Sequence, residues 1–266
     1  MKLSLILPTL NERDNLEVLI PELLLTVPQL AEILVLDDGS TDGTHEVVRD
    51  LSAAEPRVRL FVRSGPPSLT AALQEGILAA KSELVGWMDA DLAMAPADLA
   101  RLVAAVEAGA DAAIGSRFVM GGGIKGQEAE GFRGRMKALK NVQNSEDSWV
   151  GVALSWALNA AILPALIGDG VHDYTSGFVV LRRDLAVSVR LQGDHGEYFI
   201  GLWTELERRG AKVVEVAYQI RARQHGKSKT ASALSDYGRR GVRYLSAAAR
   251  ARLQSLTGRA PRASTR

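Results

Sequence analysis

Leu84-Val85-Gly86-Trp87-Met88-Asp89-Ala90-Asp91-Leu92 is a short apolar run that ends in two carboxylates. The run predicts a buried strand, Leu84 to Met88. Asp89 and Asp91 are spaced i, i+2, and on an extended chain such residues point to the same side. Two like charges on one side of a strand end are costly unless something positive holds them. A divalent metal carrying a diphosphate would do so, because hard cations take oxygen ligands and share them with substrate phosphates. The bland alternative is a strand-end turn with two solvated Asp residues. The rest of the chain favours the metal.

Outward from that stretch, residues 1–118 alternate strand and helix signals. Strands are expected at Leu3–Pro8, Ile33–Asp37, Val58–Val62, Leu84–Met88 and Ala112–Gly115, with helices near 14–26, 42–53, 68–81 and 96–108. The strands are near-continuous apolar runs, which suits a sheet covered by helices on both faces. Strands alternating with helices imply βαβ units and a mostly parallel sheet. In such sheets ligands bind at the carboxyl ends of the strands. The polar clusters sit there: Thr9-Leu10-Asn11-Glu12-Arg13, Asp37-Asp38-Gly39-Ser40, Asp89 with Asp91, and Ser116-Arg117.

Gly121-Gly122-Gly123 opens a charged stretch through 149 that reads as a mobile loop. Val150 to Ile167 is apolar but interrupted by Ser155, Asn159 and Pro164; it reads as a core helix or as one lying at a membrane interface. Strand signals resume at Phe178–Leu181 and Val213–Val216, with a helix near 197–209 between them. Residues from Ser232 to about Thr257 read as a basic amphipathic helix, with Val242, Leu245, Ala249, Leu253 and Leu256 interleaved with Arg239, Arg243, Arg250 and Arg252. Residues 258–266 are expected to be disordered. No internal repeat is present.

Composition limits the possibilities. With 47% hydrophobic and 24% charged residues, 266 residues suffice for a sizeable core. The chain has no cysteine, which excludes disulfides, thiolate metal sites and Cys nucleophiles and fits a reducing compartment. The N-terminal apolar run is too short for a signal peptide. No stretch of about 20 apolar residues predicts a spanning helix. Residues 231–266 hold eight Arg and one Asp; that +7 against +1 for the whole chain leaves −6 on residues 1–230. An acidic body with a basic tail suggests an anionic surface as partner. Beyond Tyr237 and Tyr244 the tail lacks the aromatic interleaving expected for nucleic acid, so no nucleic-acid partner is expected. No G-x-G-x-x-G follows the first strand, which argues against a Rossmann dehydrogenase.

Six motifs occur in order: Leu7-Pro8-Thr9-Leu10-Asn11-Glu12-Arg13, Leu36-Asp37-Asp38-Gly39-Ser40-Thr41-Asp42-Gly43-Thr44, Met88-Asp89-Ala90-Asp91-Leu92, Gly115-Ser116-Arg117-Phe118, Thr175-Ser176-Gly177-Phe178 and Arg223-Gln224-His225-Gly226-Lys227-Ser228-Lys229. Together they resemble the family 2 glycosyltransferases of GT-A fold, and within them the dolichyl-phosphate (polyprenyl-phosphate) mannose synthases. The resemblance covers roughly residues 3–230. It implies a GT-A domain over 1–230, a Rossmann-like α/β fold with a mixed, mostly parallel sheet. Residues 231–266 would follow as a basic amphipathic C-terminal helix and tail.

The resemblance also implies roles. Pro8, Leu10 and Glu12 would lie near the nucleotide, with Asp37 contacting the base and Asp38 supporting its site. Asp89, Ala90 and Asp91 would hold donor ribose and a metal, Mg²⁺ or Mn²⁺, with Asp91 and Asp89 as its ligands. Arg117, Arg223 and Lys229 would meet donor or acceptor phosphates, and Ser176 would join Arg117 and Arg223 at the acceptor phosphate. Asp91, Arg117 and Arg223 would carry catalysis. The implied activity is inverting transfer of a hexose, mannose from GDP-mannose, onto a polyprenyl phosphate. It would occur at the cytoplasmic face of a membrane, with a membrane-embedded protein as a further partner. Alternatives are a UDP-glucose or other-acceptor transferase, or a non-catalytic nucleotide-sugar-binding scaffold.

The chemistry agrees with these roles. A nucleoside diphosphate leaves, so negative charge builds on it, and a metal with Lys or Arg offsets that charge. A lipid monophosphate, with a second pKa near 6, is already an anionic nucleophile and needs no general base. Arg117 and Arg223 present forked donors to phosphate. His45, His172, His195 and His225 show no metal-ligand spacing. Asp173 is expected to position Arg117 or the metal, or to hydrogen-bond the following turn. Three positions depart from the family pattern: Ala93 where a Gln or Ser is usual, Ser68-Leu69-Thr70 for Gly-Leu-Gly, and Gly201 for a Glu.

Overall fold

A computed structural model describes residues 1–124, 127–128, 157–168, 170–193, 195–221 and 234–257. The elements run β1 Leu3–Thr9, α1 Arg13–Thr26, β2 Leu30–Asp37, α2 Thr44–Ala54, β3 Val58–Val62, α3 Leu69–Ala79, β4 Leu84–Trp87, α4 Pro96–Glu107, β5 Ala112–Ser116, β6 Gly123–Ile124 and β7 Gln127–Glu128. A π-helical turn over Leu158–Ile162 leads into α5 Leu163–Ile167. Then come β8 Val179–Arg182, α6 Arg183–Ser188, α7 Tyr198–Arg208, β9 Val213–Ala217, β10 Gln219–Ile220 and α8 Leu234–Thr257.

The main sheet has seven strands in the order β3-β2-β1-β4-β8-β5-β9. Every pairing in it is parallel except those of β8, which lies antiparallel between β4 and β5. This matches the expected mixed, mostly parallel α/β sheet. Side chains alternate along each strand, so each face has its own core. Ile6, Leu34, Trp87 and Ile114 pack with α3, α7 and α8. Leu5, Leu7, Val35 and Ala113 pack with α1 and α4.

Three details differ from the sequence reading. The strand before the paired carboxylates ends at Trp87 rather than Met88. Part of the expected 119–149 loop is ordered as β6 and β7, which form a second, three-stranded sheet with β10; residues 129–149 lie outside the described ones. Of the apolar segment 150–167, the described part is broken by a π-helical turn just before Pro164. Proline has no N–H, so the regular i→i−4 bond is lost there and the helix widens.

The tail helix α8 packs one stripe, Tyr244, Ala247, Ala248 and Ala251, against α7 and α5. These residues recur at i, i+3, i+4 and i+7, the spacing of one helix face. The domain expected over 1–230 therefore packs directly against the helix expected to be a separate tail. Residues 258–266 lie outside the described ones.

Candidate active site

The antiparallel insertion of β8 decides what meets at the site. Trp87 of β4 and Ile114 of β5 both pair with Val179 of β8. The start of β8 thus lies at the same edge as the carboxyl ends of its neighbours. Residues 173–178 are brought between Asp89–Asp91 on one side and Ser116–Arg117 on the other.

At the outer end of this edge, β1 and β2 are tied together by side chains. Asn11 N–H donates to Ser40 Oγ at 2.7 Å, Thr41 N–H to Asn11 Oδ1 at 2.8 Å, and Glu12 N–H to Thr44 Oγ1 at 3.2 Å. Asn11 has φ 52°, a left-handed conformation that Asn adopts readily. Asp37 has no exposure. Its Oδ1 accepts from the N–H groups of Gly39 and Ser40, both at 2.9 Å, and contacts His45 Nε2 at 2.6 Å; its Oδ2 accepts from Ser40 Oγ. Burial alone would raise the Asp37 carboxyl, but these bonds outweigh it and hold it below its ordinary value. Asp38 pairs with Arg63 and accepts from Ser68 N–H at 3.0 Å. Pro8, Leu10 and Glu12 are each partly exposed beside this cradle.

The two carboxylates of the D-A-D segment differ in exposure. The strand ends before them, and they lie on a bend. Asp89 is exposed, whereas Asp91 is 4% exposed and its Oδ1 accepts from Ala93 N–H at 3.0 Å. Leu92 then takes φ 63°. That conformation costs a bulky residue about 1–3 kcal/mol, and such strain clusters at functional sites. Ala90 is buried between the two acids. Trp87 Nε1–H donates to Tyr198 Oη at 2.9 Å, tying the strand before the carboxylates to the first turn of α7.

On the other side, Arg117 is clamped. Its Nε and Nη2 donate to the two carboxylate oxygens of Asp173 at 2.8 and 2.7 Å, and its backbone N–H also reaches Asp173, at 3.1 Å. Nη2 donates further to Thr175 Oγ1 at 2.9 Å. None of these bonds uses Nη1. Burial alone would lower the Arg117 guanidinium; the Asp173 charge outweighs it and raises it. Asp173 and Tyr174 are braced in turn by residues that the sequence reading did not single out. Glu215 of β9 accepts from the His172 and Asp173 N–H groups, and Asn159 Oδ1 accepts from Tyr174 N–H at 2.8 Å. A lone acid in the apolar strand Val213-Val214-Glu215-Val216 and a lone amide in an apolar helix were the signals available. Ser176, 6% exposed, accepts from Phe178 N–H at 3.2 Å.

The structure thus brings Asp89, Ala90, Asp91, Arg117, Asp173 and Ser176 to one stretch of the sheet edge, with Asp37 and Asp38 further along it. Arg223, Lys229 and the rest of their motif lie outside the described residues. Two departures from the family pattern have local roles. Ser68 caps α3, accepting from Ala71 N–H, and Thr70 Oγ1 donates to Gly193 O. Ala93 contributes only its backbone, its carbonyl accepting from Arg221 N–H at 2.9 Å. Among the described residues no three His, Cys, Asp or Glu side chains group as metal ligands. Two oxygen-bearing side chains fit a hard cation that takes one or two carboxylates and completes its shell with water and substrate phosphates.

The family model for Glycosyl transferase family 2 matches residues 4–188. The chain belongs to that family. It is 34% identical over 231 residues to polyprenol monophosphomannose synthase of Mycolicibacterium smegmatis, covering 84% of this chain and 79% of that protein. It is 31% identical over 230 residues to dolichol-phosphate mannosyltransferase of Pyrococcus furiosus, covering 86% of this chain but 59% of that longer protein. The fold matches the crystal structure of glucosyl-3-phosphoglycerate synthase from Mycobacterium tuberculosis in complex with Mn²⁺, UDP-glucose and phosphoglyceric acid. The TM-score is 0.64 at 20% identity, covering 98% of this chain and 81% of that one. This family 2 chain therefore has the GT-A fold.

Proposed function

We propose that the protein is an inverting polyprenyl-phosphate hexosyltransferase that moves mannose from GDP-mannose to a polyprenyl phosphate. One observation carries the reading: β8 brings the Arg117–Asp173–Ser176 cluster beside the carboxylate bend of Asp89 and Asp91. A site that offers a guanidinium edge and a hydroxyl to phosphate then adjoins an acidic one suited to a cation-bound diphosphate. The names of the two relatives point to the same acceptor class.

In the reaction an acceptor phosphate oxygen attacks the anomeric carbon. The bond from that carbon to the donor diphosphate breaks, and the nucleoside diphosphate leaves. The phosphate is anionic at neutral pH, so no side chain has to remove a proton. Arg117, held rigid by Asp173, offers its Nη1 edge to phosphate without reorganising. Arg223 and Lys229 add positive charge. Asp37 and Asp38 order the β2 loop that receives the nucleoside, beside Pro8, Leu10 and Glu12. Mg²⁺ or Mn²⁺ held by Asp91 and Asp89 would offset the charge on the departing diphosphate.

The enzyme works at the cytoplasmic surface of a membrane. No helix among the described residues is long and apolar enough to cross one. The outer face of α8 exposes Val242, Leu245 and Leu253 among Arg243, Arg250 and Arg252. Leu166, on the helix that α8 packs against, and Ile162 just before that helix are exposed as well. Basic residues near an anionic leaflet contribute about 1 kcal/mol each, and shallow insertion of the Leu side chains adds to this.

The test is incubation with labelled GDP-mannose or UDP-glucose and a polyprenyl phosphate, followed by partition into organic solvent. Label from GDP-mannose in the lipid phase, abolished in Asp91→Ala, is the expected result. Label from UDP-glucose alone would change the donor. No label from either donor would overturn the enzyme and leave the nucleotide-sugar-binding scaffold.

A further inference from the structure

Tyr218 lies beside this cluster, yet none of the roles above uses it. It links the two sheets: its N–H donates to Ser116 O and its carbonyl accepts from Gly123 N–H, both at 3.1 Å. Its ring sits edge-on to Phe178, with centroids 5.3 Å apart. Gly115 makes room for both rings. A Cβ there would lie 2.6 Å from Phe178 Cδ1 and 3.0 Å from Tyr218 Cδ1. Tyr218 is 1% exposed, and its hydroxyl is buried without a hydrogen-bond partner among the described residues. That hydroxyl lies close to Ser176 without a regular hydrogen bond to it, and in the fields of Arg117, Asp173 and Asp89.

A buried, unsatisfied hydroxyl costs about 1–3 kcal/mol, and Phe would pack the same space without that cost. The position of the hydroxyl suggests what the Tyr does instead. A Ser hydroxyl has one proton to donate and two lone pairs to fill. Phe178 N–H already donates to one lone pair of Ser176 Oγ. If Tyr218 O–H donates to the other, Ser176 can act only as a donor, and its proton points to an incoming ligand.

We infer that Tyr218 is a positioning residue. Its hydroxyl closes onto Ser176 when a lipid phosphate binds and fixes Ser176 as a hydrogen-bond donor to that phosphate. The inference rests on the reading of Ser176 as an acceptor-phosphate contact. The loose geometry in the free protein is as expected, because site hydrogen bonds often tighten only in the complex.

The test is a double-mutant cycle on the full-length protein. The affinity for a short isoprenyl phosphate in detergent is measured by titration calorimetry, without donor or turnover. Thermal unfolding is followed alongside. Tyr218→Phe should bind about three- to tenfold more weakly, the worth of one hydrogen bond, and melt at the same temperature or higher. Ser176→Ala should weaken binding at least as much. The double variant should bind no worse than Ser176→Ala alone. Wild-type affinity in Tyr218→Phe, a second full loss in the double variant, or no binding by the wild type would each overturn the inference. Loss of transfer activity alone would overturn the proposed reaction and leave this cycle standing.

Discussion

Replacing Arg117 by Ala removes the cation from a carboxylate that has no access to water. Exposed ion pairs are worth about 0–1 kcal/mol, but breaking a buried one costs about 3–5 kcal/mol because the remaining charge is stranded. Side-chain exposures of 14% for Arg117 and 0% for Asp173 put this pair in the second class. Asp173 also receives the Arg117 backbone N–H, and Arg117 also holds Thr175, so the turn before β8 loosens with the pair. In a protein of this size about 1 kcal/mol moves Tm by about 2–4 °C, so Arg117→Ala should melt about 6–20 °C below the wild type. Asp173→Asn should fall in the same direction. The double variant Arg117→Met/Asp173→Leu should melt above Arg117→Ala, because no charge is stranded, but below the wild type, because the Arg117 and Thr175 N–H groups lose their acceptor; it should not recover transfer. Circular dichroism melts at pH 7 with parallel transfer assays separate the two effects. An Arg117→Ala variant that melts within about 2 °C of the wild type, a cost below about 1 kcal/mol, would refute the reasoning.

The Asp37 carboxyl is lower in the folded than in the unfolded chain, so its contribution to stability is complete above the unfolded value of about 3.9 and disappears as pH falls through the lower folded value. Urea midpoints between pH 2 and pH 6 should therefore fall more steeply toward acid in the wild type than in Asp37→Asn; equal slopes would count against it. Gly201 sits exposed inside α7, with nothing within 4 Å of an added Cβ. Gly201→Ala should therefore raise stability by about 0.5–1 kcal/mol, read as a higher urea midpoint, and a lower midpoint would reveal an unseen contact. Leu245→Glu/Leu253→Glu should weaken co-sedimentation with anionic liposomes, and salt should weaken what remains; equal, salt-insensitive binding by variant and wild type would remove α8 as the anchor.

Much of the sheet was legible because its signals are local. The apolar runs that became β1, β2, β3, β4 and β5 each end at a polar cluster, and their ends fall within a few residues of expectation. The D-A-D geometry was not legible. The strand stops at Trp87, short of Met88, and the chain turns left-handed at Leu92, a conformation of which a Leu gives no hint. Nor did Val179–Arg182 reveal that they run against their neighbours, since an apolar tetrapeptide reads the same in either direction. Arg117 and Asp173 lie 56 residues apart and are joined by that unseen pairing. The braces Asn159 and Glu215 depend on it too.

The reversed strand also bears on how the chain is made. β4 and β5 are not paired with each other; both hydrogen-bond to β8, which follows β5 by more than sixty residues. Until Val179–Arg182 has left the ribosome, a nascent chain carries two bare strand edges facing a gap. Open edges recruit other strands, and closing a long loop across a sheet is slow. Residues 1–177 alone should therefore collect in aggregates, and a soluble, cooperatively melting fragment would contradict this. The strand that completes the site is also the keystone of the nascent sheet.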